Sequence, residues 1–354
     1  MKKSQVKRFR KLPSANRLSE ILVGKPEKYL VIYDSRLEKN PSFKAWLAKF
    51  NYKYKVKAGE SLKNLESFPG HIKKIFKLVS PFSSKSLCVL AVGGGSVGDF
   101  AGFAASVIKR GVPLIHIPTT LLAAMDSAHG GKTALNISDF KNQVGSFYPA
   151  EAVILTKEFF ETLPLEQIHS SLGELVKMAL IQGGSLLERV NLSEALDINF
   201  IWEVLPQVIE EKNNWVAKDP FEKTGDRQVL NLGHTFGHVL EGHYGIPHGL
   251  AVGEGLIFSC LWSHHRGYMN LKDRDDTLSL LNDKLGFLSP IEFSKRHGKI
   301  SESRLLKFVF EDKKLVNAKS LNFVFLDKAG GPFVKKVSVQ SFVTESQRQG
   351  WTRT

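Results

Sequence analysis

Cysteine is scarce in this chain, and long apolar runs are missing. The two cysteines, Cys88 and Cys260, lie in apolar segments without a partner at C-x-x-C spacing. Such cysteines are typical of buried thiols in a reducing compartment rather than of disulfides. No segment reaches the ~20 consecutive apolar residues that a membrane span requires. The basic N-terminus lacks the apolar core of a secretory signal, because residues 12–17 interrupt it. We therefore predict a cytoplasmic protein with no membrane partner.

Acidic residues are fewer than basic ones, but the basic residues are spread along the chain. The chain has 49 Lys and Arg against 35 Asp and Glu, which gives a net charge of +14. No basic patch with interleaved aromatic residues stands out, so no nucleic-acid partner is predicted. The excess is compatible with an anionic substrate or with a generally basic surface.

The length and the periodicity predict two domains of different class. A chain of 354 residues exceeds the ~250–300 at which a single core stops growing. Strand and helix patterns alternate in the first part, and helical periodicity dominates from Glu158 onward. We predict an α/β fold, with an N-terminal Rossmann-like domain over residues 1–160 and a mainly α-helical domain over residues 161–354. The predicted strands are Lys28–Asp34, Tyr52–Val56, Leu87–Val92, Pro113–Pro118, Ala152–Leu155 and Leu321–Leu326; the predicted helices are Pro41–Phe50, Ile72–Leu78, Asp99–Arg110, Leu165–Gln182, Phe200–Val216, Arg227–Tyr244 and Gly249–His265.

A glycine-rich turn links a predicted strand to a predicted helix. Its sequence is Gly93-Gly94-Gly95-Ser96-Val97-Gly98-Asp99. This arrangement directs backbone N–H groups and the positive end of a helix towards a phosphate, although glycine also occurs in plain tight turns. In a Rossmann unit an acid ~20 residues later holds the ribose, but none stands between Asp99 and Asp126. A bound dinucleotide would need another acid, such as Asp34 or Glu60.

A dense histidine cluster predicts a metal site. His234 and His238 are four residues apart and share a helix face, and His243 and His248 follow. Catalytic zinc often has three protein ligands, with two histidines and one carboxylate as a common set. The best candidate acid is Glu174, which lies in a largely apolar helix where a carboxylate needs a cation. An ion pair with Lys177, three residues on, is the alternative explanation for it.

Several motifs together resemble those of the 3-dehydroquinate synthases. Their order and approximate spacing match over most of the chain, from Asp34 to about residue 314. Besides the glycine turn and Asn231–His238, the matching segments are Pro118–Ala123, Asp126–Thr133, Lys141-Asn142 and Glu174–Lys177.

The resemblance implies an NAD-dependent enzyme that also needs Zn²⁺ or Co²⁺. Such an enzyme is a phosphorus–oxygen lyase of the shikimate pathway. It converts 3-deoxy-D-arabino-heptulosonate 7-phosphate, an anionic sugar phosphate, into 3-dehydroquinate and phosphate. It oxidises an alcohol, eliminates phosphate beside the new ketone, returns the hydride and closes the ring by an aldol step. A homodimer is compatible with this expectation.

The same resemblance implies roles for individual residues. The metal ligands are Glu174, His234 and His248. The nucleotide-binding positions are Asp34, Gly59, Glu60, Lys63, Gly95, Ser96, Val97, Gly98, Asp99, Thr119, Thr120, Lys132, Lys141 and Thr162. The substrate-holding positions are Asp126, Lys132, Asn142, Lys177, Lys212, Arg227, Asn231, His238 and one of Lys313 and Lys314. For an isolated lysine, a solvated surface charge is the ordinary alternative.

A few positions depart from the family pattern. Leu250 stands where the family usually has Glu, Pro149 where it has Gln, Ser171 where it has Gly, and Pro220 where it has Glu. One residue is also inserted between Lys212 and Arg227. Competing hypotheses are a related sugar phosphate cyclase, a metal-dependent polyol dehydrogenase, and a non-catalytic or nucleic-acid-binding relative.

Overall fold

The chain divides into two compact units, residues 1–164 and 165–354. The computed structural model describes residues 3–22, 26–138, 140–311, 315–317 and 319–353. Lys313 and Lys314 lie outside the described residues, so their predicted contact with phosphate stays a prediction. Among the described residues, no helix is both long enough and apolar enough to cross a membrane.

The N-terminal unit is built on a six-stranded parallel sheet. Its strand order is β1-β8-β5-β4-β2-β3. The strands are β1 (Gln5–Phe9), β2 (Lys28–Asp34), β3 (Tyr52–Val56), β4 (Leu87–Gly93), β5 (Leu114–Pro118) and β8 (Ala152–Thr156), and an antiparallel hairpin adds β6 (Lys132–Ile137) and β7 (Phe140–Phe147). The helices are α1 (Ala15–Ile21), α2 (Pro41–Leu47), α3 (Phe68–Val79), α4 (Gly95–Val107) and α5 (Lys157–Phe160). The α/β prediction for this part of the chain is confirmed.

Hydrophobic periodicity predicted the central strands of the sheet but did not predict the basic edge strand β1. All seven residues of β4 are buried, which is expected for a parallel strand covered on both faces. The basic N-terminal segment forms β1, which pairs in parallel with β8. Its lysine and arginine are typical of the edge of a sheet, where charge discourages pairing with other chains. The same charged residues made the strand difficult to recognise from the sequence. The helix predicted to reach Arg110 ends at Val107, because Lys109 and Arg110 adopt left-handed φ angles of 49° and 63°.

The C-terminal unit is mainly helical, as predicted. Its helices are α6 (Leu165–Gln182), α7 (Gly184–Leu192), α8 (Ile198–Lys218), α9 (His234–Tyr244), α10 (His248–His265), α11 (Leu271–Ser279), α12 (Pro290–His297), α13 (Glu302–Glu311) and α14 (Val339–Arg348). An antiparallel sheet contains β10 (Leu315–Asn317), β11 (Ser320–Leu326) and β12 (Pro332–Ser338), and β9 (Ile300–Ser301) pairs with β13 (Thr352–Arg353). Aromatic residues fill the space between α10 and β11, where Trp262 and Phe323 have ring centroids 4.6 Å apart.

The continuous helix predicted over Arg227–Tyr244 is wrong. A 3-10 turn covers Asp226–Asn231, and α9 begins only at His234. Between them Gly233 adopts φ 76°, which ends the first segment and redirects the chain. A side chain at Gly233 would also come within 2.9 Å of the Val252 carbonyl oxygen. The turn therefore sets where the first histidine lies on α9.

Helix α10 contains a buried carboxyl group for which the described residues show no cationic partner. Glu254 is buried, and its Oε1 accepts a hydrogen bond of 2.9 Å from the Leu288 N–H. Its Oε2 has no hydrogen-bond partner among the described residues. Burial, reinforced by the charge of Glu292, raises the pKa of Glu254 from 4.5 to about 8. The folded protein therefore holds this carboxyl in its neutral form at neutral pH.

We expect Glu254→Gln to stabilise the protein at alkaline pH. The pKa is higher in the folded than in the unfolded chain, so Glu254 lowers the free energy of unfolding as pH rises from about 4.5 to about 8. Glutamine keeps an acceptor for Leu288 and does not ionise. The stability of the variant relative to the unmodified protein should rise by about 2–4 kcal/mol between pH 5 and 8. Urea unfolding across this range measures the difference, and parallel stability curves would contradict the assignment.

Candidate metal centre and nucleotide-binding turn

Three tightly packed helices of the C-terminal unit bring the predicted metal ligands together. Glu174 lies on α6, His234 begins α9 and His248 begins α10. A Cβ on Gly173 would overlap the Gly249 carbonyl oxygen, and one on Gly255 would overlap the Gly233 carbonyl oxygen. Glycine is therefore required for these backbones to approach so closely.

The three side chains converge on one carboxylate oxygen. Glu174 Oε1 lies 3.1 Å from His234 Nε2 and 3.3 Å from His248 Nε2. The other oxygen, Oε2, forms an ion pair of 2.6 Å with Lys177 Nζ. The ion pair considered as the alternative explanation for Glu174 is thus present, but it occupies only one of the two oxygens.

The electrostatics of the trio reflect one buried negative charge. Burial opposes ionisation of Glu174, yet the charge of Lys177 and the interaction with His234 hold its pKa well below the usual value. Burial and the charge of Lys177 lower the pKa of His234 to about 3, so this imidazole is neutral, as a metal ligand must be. Burial also disfavours charge on His248, but its carboxylate neighbours Glu174 and Glu241 raise its pKa to about 10. His248 is therefore protonated at neutral pH without a metal, and a cation that binds Nε2 would displace that proton.

The residues fit a divalent cation. Although Glu174 Oε1 is buried, it has no hydrogen-bond partner among the described residues. Two ligands about 2.0–2.1 Å from a tetrahedral zinc ion lie roughly 3.3 Å apart, close to the distances of Glu174 Oε1 from the two imidazole nitrogens. The three donor atoms lie within 4.8 Å of one another. A cation between the three groups would satisfy the carboxylate oxygen and both imidazole nitrogens together.

The remaining histidines of α9 have separate surroundings. The ring centroid of His238 lies 5.5 Å from that of His234 and 6.0 Å from that of His248. His243, by contrast, contacts Tyr244 and Phe308. The structure places His238 beside the trio and His243 away from it.

Two predicted substrate-binding lysines are not surface charges. Lys177 and Lys212 are both buried, on α6 and α8. A buried ammonium group requires an anionic or strongly polar partner. The alternative of a solvated surface charge therefore does not apply to either residue. Asn231 is half-buried at the end of the 3-10 turn.

Arg227 is held in a loop that a carboxylate organises. The buried Asp219 accepts backbone hydrogen bonds from Lys223 at 2.7 Å and Gly225 at 2.9 Å. Arg227 is buried, and its Nε lies 3.6 Å from Glu222 Oε1. The loop thus holds the guanidinium beside a carboxylate, in spite of the inserted residue.

In the N-terminal unit, charged and polar side chains surround the glycine turn. Lys63 Nζ forms an ion pair of 2.7 Å with Asp99 Oδ2 and also donates to Asn142 Oδ1. Ser96 Oγ accepts a hydrogen bond of 3.0 Å from the Gly59 N–H. Glu60 Oε2 accepts one of 2.8 Å from Asn136 Nδ2. The first turn of α4, residues 59–63 and the β6–β7 hairpin therefore meet at one place.

Several of the other predicted nucleotide-binding residues stand at or just after the carboxyl ends of parallel strands. Asp34 ends β2 and its carboxylate binds Arg36, while the Thr119 N–H donates to the Gly93 carbonyl oxygen at 3.0 Å. Gly95 faces Ser127, since a Cβ there would lie 3.1 Å from the serine oxygen. Thr162 donates to the Phe159 carbonyl oxygen after α5. Val97 is buried in α4 with Gly98 beside it, and Thr120 follows β5. Asp126, a predicted substrate-holding residue, lies in the turn Ala123–Ser127. Lys132 and Lys141 are exposed in the β6–β7 hairpin.

The relatives of this chain decide its family. The model for the 3-dehydroquinate synthase N-terminal region matches residues 53–170, and the model for the C-terminal region matches residues 171–315. The 3-dehydroquinate synthase of Lysinibacillus sphaericus (strain C3-41) is 36% identical over 329 residues, which cover 90% of this chain and 86% of the relative. The chain belongs to the 3-dehydroquinate synthase family. The expectation of a carbocycle-forming enzyme is therefore confirmed, in preference to a dehydrogenase or a nucleic-acid-binding protein.

Solved structures share the fold over nearly the whole chain. A 2-deoxy-scyllo-inosose synthase complexed with carbaglucose-6-phosphate, NAD⁺ and Co²⁺ has a TM-score of 0.79 at 25% identity, and covers 94% of this chain and 93% of its own. The 2-epi-5-epi-valiolone synthase of Streptomyces hygroscopicus subsp. jinggangensis 5008, with NAD⁺ and Zn²⁺ bound, also has a TM-score of 0.79, at 21% identity and 98% coverage of both chains. The predicted fold class is confirmed by these likenesses.

Sequence reasoning missed three acidic residues around these sites. Asp219 accepts a backbone hydrogen bond from Gly225 in the loop before Arg227, and Glu222 lies beside the Arg227 guanidinium. The third residue, Glu241, contacts His248. Glu241 lies three residues after His238, about one helical turn further along α9. That spacing was the available signal, but a glutamate on a helix is most often a solvated charge.

Proposed function

We propose that the chain is a 3-dehydroquinate synthase that acts on 3-deoxy-D-arabino-heptulosonate 7-phosphate and releases 3-dehydroquinate and phosphate. The observation that carries this proposal is the buried Glu174 Oε1, which faces two imidazole nitrogens at 3.1 and 3.3 Å. A metal-dependent alcohol oxidation requires such a site, and in the family of this chain that oxidation would serve ring formation.

The residues present fit both groups that the relatives bind. Glu174, His234 and His248 would hold Zn²⁺ or Co²⁺, and the glycine turn with residues 59–63 would hold NAD⁺. When bound, the ion supplies a Lewis acid for the substrate hydroxyl and the nicotinamide supplies a hydride acceptor. The N-terminal unit would thus serve as the nucleotide-binding domain and the C-terminal unit as the metal- and substrate-binding domain.

The cationic side chains would hold the charged ends of the substrate. Arg227 offers a planar donor pair for phosphate oxygens, and the predicted partners in this task are Lys132, Asn231, His238 and one of Lys313 and Lys314. Lys177 and Lys212 would bind the substrate carboxylate, and their burial strengthens the attraction between opposite charges. Asp126 and Asn142 would accept or donate hydrogen bonds at the hydroxyl groups.

Holding the phosphate serves the elimination step. A ketone makes the adjacent C–H acidic, and the phosphate dianion of the substrate can itself accept that proton. The protein must therefore fix the phosphate near this carbon without neutralising it completely. Donors that bind only some of its oxygens leave another free to take the proton. A cytoplasmic location and a homodimer stay predictions alongside this proposal.

Phosphate release tests the proposed reaction. Purified protein with Zn²⁺, a catalytic amount of NAD⁺ and the heptulosonate phosphate should release many equivalents of phosphate for each NAD⁺, because the hydride returns in every cycle. NADH should not accumulate. Glucose 6-phosphate serves as the comparison substrate for an inosose-type cyclase. Stoichiometric NADH formation from polyols, or faster phosphate release from glucose 6-phosphate, would overturn the proposal.

A further inference from the structure

The two ligand imidazoles are held differently at their second nitrogen. Both turn Nε2 towards Glu174 Oε1. His234 Nδ1 lies 3.2 Å from the Leu232 carbonyl oxygen, a backbone acceptor. His248 Nδ1 lies 2.8 Å from Glu241 Oε2, a side-chain acceptor. One imidazole is therefore fixed by the main chain and the other by a residue that can be replaced.

A neutral imidazole carries one N–H and one lone pair. An acceptor at Nδ1 keeps the hydrogen there and leaves the lone pair on Nε2, where a cation can bind it. A carboxylate acceptor also makes the ligand nitrogen more basic than a carbonyl does, because it carries a full negative charge.

The position of Glu241 suits this task. It lies on α9 seven residues after His234, so the two project from the same side of the helix, two turns apart. His248 is the first residue of α10, after the turn that contains Gly245. Its side chain is 35% exposed, compared with 10% for His234, so packing alone restrains it less. The bond from Glu241 ties the start of α10 to α9 at the metal centre.

We propose that Glu241 is a positioning residue for the metal centre: its carboxylate fixes the orientation and tautomer of His248 so that Nε2 faces the cation. This inference rests on the proposed metal-dependent function. His238, Glu241 and His248 also group closely enough to suggest a second cation site. However, the bond between Glu241 and His248 Nδ1 makes this group the outer part of the same centre.

Zinc affinity tests the inference without relying on turnover. The variants are Glu241→Ala, which removes the acceptor, and Glu241→Gln, which keeps an acceptor oxygen but not the charge. Competition with a chromogenic chelator should show zinc binding weakened about 10- to 100-fold by alanine and less by glutamine. The ligand-field absorption of bound Co²⁺ should shift in the alanine variant, because the orientation of one ligand is lost.

Glu345→Gln provides a matched control. Glu345 forms a similar pair with His265 Nδ1, at 2.7 Å, among residues that are not proposed ligands. Its replacement should leave zinc affinity unchanged. If Glu241→Ala does not fold, Glu241→Gln carries the test by itself. If the Glu241 variants bind zinc as tightly as the unmodified protein and give the same Co²⁺ spectrum, this inference is wrong, while the proposed metal centre still stands. Absence of zinc binding in the unmodified protein would overturn it together with the proposed metal centre.

Discussion

Replacing His234 with alanine should abolish phosphate release and remove stoichiometric zinc. His234 supplies one of three donor atoms, and burial keeps its imidazole neutral with a pKa of about 3. With one donor missing, Glu174 and His248 form an incomplete site, and turnover should fall by about 1,000-fold or more. Elemental analysis of the dialysed protein and phosphate release under saturating NAD⁺ measure the two losses.

His243→Ala is the control for this experiment. It removes another imidazole from the same helix, but His243 contacts Tyr244 and Phe308. Its zinc content and turnover should stay close to those of the unmodified protein. Full activity of the His234 variant in metal-free buffer would contradict the ligand assignment.

Replacing Arg227 with methionine should slow turnover about 100- to 1,000-fold while NAD⁺ affinity changes little. The guanidinium is buried, lies 3.6 Å from Glu222, and is the proposed phosphate-binding group. Since charge-assisted bonds to the leaving phosphate are lost, the effect should concentrate on elimination. Arg227→Lys should be intermediate, because lysine keeps the charge but not the planar donor pair.

A surface arginine supplies the comparison. Arg266→Met also removes one positive charge, from a residue that packs over Trp262 in the same unit. Its turnover should remain near normal. NAD⁺ titration by protein fluorescence, together with phosphate release, separates the two effects. An equal loss of NAD⁺ affinity and turnover in Arg227→Met would show that Arg227 does not act on the phosphate.

Much of this fold and much of the candidate site could be predicted from local patterns. The buried strand β4 and helix α6 follow from short-range periodicity, which depends on neighbouring residues only. The histidine cluster and the apolar surroundings of Glu174 indicated a metal site, and the family resemblance implied Glu174, His234 and His248 as its ligands. Short-range patterns failed at β1, where lysine and arginine obscured an edge strand, and at Gly233, where one positive φ broke a predicted helix.

The amino-acid sequence by itself determined the class of each half, the glycine turn, the family motifs and the set of residues available for metal binding. Only the tertiary structure decided which carboxylate oxygen faces the two imidazoles, that Lys177 occupies the other oxygen, and that Glu241 restrains His248. The reason is distance along the chain: α6 is separated from α9 and α10 by tens of residues. Its approach depends on glycine contacts between backbones, which no periodicity within a single helix encodes.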